Sequence, residues 1–354
     1  MKILFVAPTT FSRITIFISQ YIKSLEGAAK FLGHDVKSLQ TTEIVHSGVG
    51  PNQLRQIFHN LGGSVKGIAH IPQDVITSYH LFRAVNEFKP DIIFLHLIDS
   101  SYMHLTVNRI RQRGICVLTW LGIHPSRVSS GVHKLLGSSD YTLIYDPSYA
   151  DYYSKQLNIH NTRIVPLGCD VAFHDSVNID ESFKKEKGVD VCFIGLFDEH
   201  REKYLKELTG FDLGIWSWNM EDYRTRLKQF HRGTVYGESL IKVLKSSKIV
   251  LNIHRDFEIS GGNYRLFEIP ASRAFQLVDE KEEIGRYFDI GREIVTFKDE
   301  QDLKKKVEYY LRNPEEREQI AEAGYQRVIK EHSIIDRMNR IINLAVSGKT
   351  PEHF

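Results

Sequence analysis

The chain has 354 residues, 42% hydrophobic and 25% charged, an ordinary globular composition with apolar material for about two domains. Lysine and arginine number 46 against 44 aspartate and glutamate, a net charge of +2, which argues against specific nucleic-acid binding. The 3 cysteines form no CxxC pair, so neither a disulfide framework nor a zinc ribbon is expected and a cytoplasmic location is.

In chain order, "KILFVA" (2–7) is a short apolar run closed by Pro8, expected as a buried parallel strand rather than a signal peptide. Apolar residues from Ile14 to Leu32 recur at three- and four-residue steps, one face of a helix that stops at Gly33. "HDVKSL" begins a second strand, so the chain opens β-α-β, the unit of a doubly wound sheet. Segment 43–75, rich in Gly, Asn and Gln, gives no ordered pattern. Beyond it, "HLFRAVNEF" is helical, "DIIFLHL" a strand, "YMHLTVNRIRQRG" a helix, "ICVLTWL" and "YTLIYD" strands, "SYADYYSKQL" a helix and "TRIVPLG" a strand. A first α/β domain over 1–169 follows.

Residues 170–187 are polar and lysine-rich and are expected as a linker. A second α/β domain over 188–332 begins at "VDVCFIG" and the helix "HREKYLKEL", with "FDLGIW", "KIVLNI", "AFQLVD" and "EIVTF" as further strands. Asp299 and Asn313-Pro314 mark helix starts, and "SIID" (333–336) resembles a capping box opening a last helix within 333–354. No window holds the ~18 apolar residues of a membrane span, so any membrane contact is peripheral.

Doubly wound sheets bind ligands outside the carboxyl ends of their strands, and two such domains are expected to face across a cleft. The candidates are therefore the residues that follow strands. After "VCFIG" come Gly195 and, at a helix start, Arg201. After "KIVLNI" come His254, Arg255 and the stretch "ISGGNYRLFEIPAS", where Gly261 and Gly262 permit close backbone approach and Asn263 is a good N-cap. The helix it opens would present an anion site, to which Arg265 adds a forked donor. Glu268 has the right chemistry to accept from a ribose diol. Arg265 and Glu268, three apart, equally fit an ion pair on a helix surface. Pro270 disfavours a long helix here. Trp218 fits either base stacking or core packing. In the first domain His96 and Asp99 follow one strand and His124 another; a histidine there is either structural or a site residue. Thr10 and His124 are acceptor-side candidates. No DxD motif or ligand cluster points to a metal.

The ordered series "VDVCFIG", Arg201, "SSKIVLNIHRD", "GGNYRLFEIPAS", "REIVTF", "DLKKKVEYYLRNPEER" and "IAEAGYQRV" resembles the spore-maturation-protein CgeB-like branch of the group 1 glycosyltransferases. The first domain agrees through "MKILFV", "LGHDV", "DYTLIYD" and "RIVPLGCD". The resemblance implies a GT-B fold: two Rossmann-like domains, the first for an unidentified acceptor, the second for a nucleotide-sugar, with the last helix returning to the first. It implies no cofactor beyond that nucleotide-sugar substrate, and transfer without a metal and with retention. Glu268 matches the second glutamate of the family-4 E-x7-E pattern, which holds the ribose. Gly261, Gly262 and Asn263 match the loop near the diphosphate. Arg201 stands for the basic residue that neutralises it, and His96 falls near the histidine acting beside the transferred sugar. Three positions depart from the pattern: Ser260 replaces the first glutamate, Leu196 an arginine and Arg273 a glycine. A nucleotide-sugar epimerase or phosphorylase-like enzyme of the same fold is one alternative, and a non-catalytic binding or scaffold protein, supported by the missing first glutamate, is another.

Overall fold

The computed structural model describes residues 1–7, 13–40, 73–96, 103–121, 130–256 and 258–348. They divide into two compact units, Met1–Val165 with the chain from Met338 on, and Pro166–Arg337.

Unit 1 holds a six-stranded parallel sheet in the order β2-β1-β3-β4-β5-β6. Its strands are β1 (Lys2–Ala7), β2 (Asp35–Gln40), β3 (Ile92–His96), β4 (Cys116–Leu121), β5 (Tyr141–Ile144) and β6 (Thr162–Ile164). Between them run α1 (Arg13–Phe31), α2 (Gln73–Phe88), α3 (Met103–Arg111), α4 (Ser130–Ser138) and α5 (Ser148–Leu157). Strands covered on both faces should be apolar at every position, and β3 is buried throughout. Leu4, Val6, Ile93, Leu95 and Val117 share one core with Val107 and Ile110 of α3. Helix α2 begins before the sequence pattern suggested, and segment 41–72 lies outside the described residues.

Unit 2 repeats the plan with β7 (Val191–Ile194), β8 (Leu213–Trp216), β9 (Ile249–Asn252), β10 (Gln276–Asp279) and β11 (Val295–Phe297) in the order β11-β10-β9-β7-β8. Read from its own first strand, this order is 2-1-3-4-5, the same as that of the first five strands of unit 1. In both, the chain reverses direction across the sheet beside the unit's first strand, so the switch point of unit 2 lies between β7 and β9. The pleat divides the strands between two cores. Val191, Phe193, Ile249 and Leu251 face one, Cys192, Ile194 and Val250 the other.

The polar stretch expected as a linker is instead folded into unit 2. It forms α6 (Val171–Ser176) and α7 (Glu181–Lys187), capped by Asp170 and Asp180, whose carboxylates accept from the Phe173 and Phe183 amides. Those two phenylalanines pack on the core that contains Cys192 and Ile194. Two phenylalanines and the buried Val177 anchor this polar, lysine-rich stretch. The remaining helices are α8 (Glu199–Lys206), α9 (Gly237–Ser246), α10 (Tyr264–Ala271), α11 (Ile284–Tyr287), α12 (Glu300–Arg312), α13 (Pro314–Glu331) and α14 (Ile334–Ser347). Asp299 caps α12, Pro314 opens α13, and the Ser333 hydroxyl accepts from the Asp336 amide at the start of α14.

Candidate functional site

At the switch point of unit 2, the loops after β7 and β9 are joined by side chains that the sequence had singled out. Arg201 reaches from the first turn of α8, whose N-cap Asp198 accepts from the Arg201 amide at 2.9 Å. Its Nε and Nη2 donate to the Ile253 carbonyl at 2.9 and 2.7 Å, and Nη1 to the Leu196 carbonyl at 2.8 Å. The guanidinium is buried over the Phe193 ring, and burial lowers its pKa. Arg201 therefore braces both loops and carries a positive charge between them. Gly195 donates its amide to the Trp216 carbonyl at 3.0 Å. The Arg255 amide donates to Glu258 at 2.8 Å, and neighbouring Asp256 pairs with His200 at 3.0 Å.

Helix α10 starts where the sequence placed it. Asn263 is extended, and its Oδ1 accepts from the Leu266 amide at 3.0 Å. Arg265 donates from Nε to the Ile194 carbonyl at 3.2 Å and pairs through Nη1 with Glu268. The ion pair seen in the sequence is thus present, but Glu268 is only 7% exposed, so it is no surface pair. Burial brings the Arg265 pKa down to about 10, which leaves it charged at neutral pH. A short eight-residue helix thus presents its N-terminus beside the buried Arg201 guanidinium, the half-buried Arg265 guanidinium and one carboxylate. That combination suits a phosphate ester next to a diol.

His254 is fully buried, with both ring nitrogens engaged: Nδ1 with Asp279 at 2.6 Å, Nε2 with the Gly261 carbonyl at 3.0 Å. Gly261 and Gly262 are buried, Gly261 with φ +92°. Trp218 is half-buried after β8, and Asn219 beside it ties that loop to Phe197 in the loop after β7.

Residues 200–343 match a family model described as glycosyl transferase-like. The spore protein CgeB of Bacillus subtilis (strain 168) is 22% identical over 264 residues, an alignment that takes in 69% of this chain and 80% of that protein. Among solved structures, a glycosyltransferase from Rickettsia africae ESF-5 aligns with a TM-score of 0.68 at 12% identity, covering 97% of both chains. Anabaena Alr3699/HepE in complex with UDP-glucose aligns with a TM-score of 0.64 at 10% identity, over 98% of this chain and 100% of that one. The fold is GT-B, residues 200–343 carry a glycosyl transferase-like match, and the chain is similar to the spore protein CgeB.

In unit 1, His96 ends β3 fully buried, stacked on Trp120 at 4.6 Å between ring centroids. Burial drives its pKa down to about 3, against a small opposing effect of the Trp120 backbone, so the imidazole is neutral. Neither ring nitrogen has a hydrogen-bond partner among the described residues. Thr10, Asp99 and His124 lie outside the described residues. Among the described residues no three His, Cys, Asp or Glu side chains gather as a metal site, and no helix is long and apolar enough to cross a membrane.

Two polar assemblies escaped the sequence reading. Asn252 and Asn263 exchange amide hydrogen bonds at 3.1 and 2.9 Å, and Asn252 also donates to Gln276 at 3.0 Å. Gln276 in turn donates to the Leu266 carbonyl at 3.2 Å, which is the acceptor left without an amide by Pro270. The second is a chain from Cys169 Sγ to His174 Nε2 (3.3 Å), from His174 Nδ1 to Ser272 Oγ (2.7 Å), and on to the Glu268 carbonyl (3.1 Å). Burial raises the Cys169 thiol to about 12 and lowers His174 to about 3, so the pair is neutral and the sulfur is no nucleophile. The available signal was a polar residue interrupting an apolar strand, Asn252 in "KIVLNI" and Gln276 in "AFQLVD".

Proposed function

We propose that unit 2 binds the nucleoside diphosphate of a sugar donor at the β7/β9 switch point, and that the sugar passes to an acceptor held by unit 1. The observation that carries this reading is the α10 start: a Gly-Gly-Asn loop, a helix N-terminus, and Arg265 beside Glu268, all following β9. Glu268 takes the ribose hydroxyls, exchanging its partner Arg265 for them. Arg265 then turns to the diphosphate side with the helix N-terminus. Arg201 and Arg255 add positive potential as the nucleoside diphosphate departs, a stabilisation of charge that develops in the transition state. The groups proposed for the diphosphate are cationic side chains and amides, so the proposed transfer is metal-independent. Retention of configuration rests on the family resemblance. On unit 1, His96 and Asp99 are the proposed catalytic residues, with Thr10 and His124 on the acceptor side. Trp218 is the candidate for the base. The UDP and UDP-glucose carried by the HepE structures support a nucleotide-sugar donor.

The test is calorimetric titration with UDP, GDP, ADP, CDP and dTDP. Glu268→Ala is expected to weaken the nucleotide that the native chain binds by roughly tenfold or more, the loss of a charged hydrogen-bonding group. Unchanged affinity would remove Glu268 from the donor site.

A further inference from the structure

We propose that His254 is a positioning residue, which with Asp279 forms a latch that fixes the donor loop through the Gly261 carbonyl. This rests on the donor-site reading above and gives His254 a task other than touching the donor, since its side chain is 0% exposed. The imidazole sits between two acceptors. Asp279 Oδ1 receives the His254 backbone amide at 2.9 Å and Nδ1 at 2.6 Å, while Nε2 faces the Gly261 carbonyl at 3.0 Å. A ring that donates from both nitrogens satisfies both partners. Burial raises the Asp279 pKa, but the His254 hydrogen bonds and charge outweigh it and the carboxyl lies below its ordinary value. Lys281 Nζ, 3.5 Å from Asp279 Oδ2, is the other charge on this carboxylate.

The target of the latch has little freedom. Gly261 has φ +92°, and a Cβ there would lie 2.5 Å from Lys281 Cβ and 3.2 Å from Ile284 Cγ1. One residue earlier, the Ser260 carbonyl accepts from the Glu283 amide at 3.1 Å. Gly262 and the N-cap Asn263 follow directly. The end of β10 and the start of α11 therefore set where the α10 N-terminus begins, with the histidine as the link across from β9.

Asn and Gln separate the two halves of the latch. An Asn amide reaches about as far as Nδ1 and keeps the Asp279 bond; a Gln amide reaches about as far as Nε2 and keeps the Gly261 bond. Hydrogen–deuterium exchange of the 258–266 segment, with the β8 segment as internal reference, reads the loop without any ligand. His254→Asn should speed exchange in 258–266 by about tenfold and weaken the bound nucleoside diphosphate comparably, while His254→Gln stays within about threefold of the native chain. Equal behaviour of the two variants, in exchange and binding, would overturn the latch. Asp279→Asn covers the case in which either His254 variant fails to fold. It keeps an acceptor for Nδ1 but removes the charge, and it should loosen 258–266 as His254→Asn does; unchanged exchange there would equally overturn the proposal. If the native chain binds none of the five nucleoside diphosphates, the donor-site reading falls while the exchange arm still decides the latch.

Discussion

Arg273 lies at φ 56°, in the left-handed region where an L side chain crowds its own backbone. The position closes α10: the Arg273 amide bonds the Pro270 carbonyl at 2.9 Å and the Ala274 amide the Ile269 carbonyl at 3.3 Å, the paired bonds of a Schellman turn. The glycine expected here by resemblance would adopt it freely. What holds an arginine instead is its side chain, which pairs with Glu322 and stacks 3.5 Å over the Tyr325 ring, whose hydroxyl donates to Asp175 at 2.6 Å. Arg273→Ala should therefore be the worse substitution, because it keeps the strained backbone and loses every contact. Arg273→Gly loses the same contacts but relieves the strain, and should be more stable than Arg273→Ala by about 1 kcal/mol in urea unfolding. Equal stability of the two variants would show that the backbone is not strained there.

Pro270 raises the same question for a whole element, since an interior proline removes one helical hydrogen bond. Gln276, from β10, supplies the missing donor to the Leu266 carbonyl, and Asn252 links that glutamine to the N-cap Asn263. The N-cap and the first turn of α10 thus hang on one amide network anchored in two strands. Gln276→Leu should cost about 1–3 kcal/mol by leaving buried polar groups without partners. Pro270→Ala restores an amide at the Leu266 carbonyl, so the double variant should recover about 1 kcal/mol of that loss in a double-mutant cycle. Strict additivity would mean that Gln276 does not substitute for the helical bond. This network explains what the sequence could show of the site. Asn263 as cap and the α10 start were legible, because capping chemistry is local. The His254–Asp279 contact spans 25 residues and two strands, and no local pattern announces it. Arg201 was legible as a basic residue at a helix start, but its three bonds to backbone carbonyls depend on which strands become neighbours.

For the whole molecule, apolar runs announced the strands, while their order rests on crossovers that each run leaves open; only the structure shows one strand order used twice. The two units also share an acid sensitivity. His96 in unit 1 and His174 in unit 2 are buried neutral, each with a pKa lowered by burial from 6.5 to about 3. Lys245 and Arg265 add to the lowering at His174. Above pH 6.5 neither the folded nor the unfolded chain is protonated at these sites, and their contribution to stability is fully present. Below it, the unfolded chain takes up a proton at each histidine and the folded chain does not until about pH 3, so stability falls as pH falls through that window. Once the unfolded state is fully protonated, each histidine contributes a slope of about 1.4 kcal/mol per pH unit. Urea unfolding from pH 7.5 to 5 should show this decline, and His96→Gln and His174→Gln should each remove about one histidine's share of the slope, whatever they do to stability at pH 7.5. A slope that survives either substitution would mean that the histidine in question is protonated in the folded protein, and that its burial is relieved by a partner.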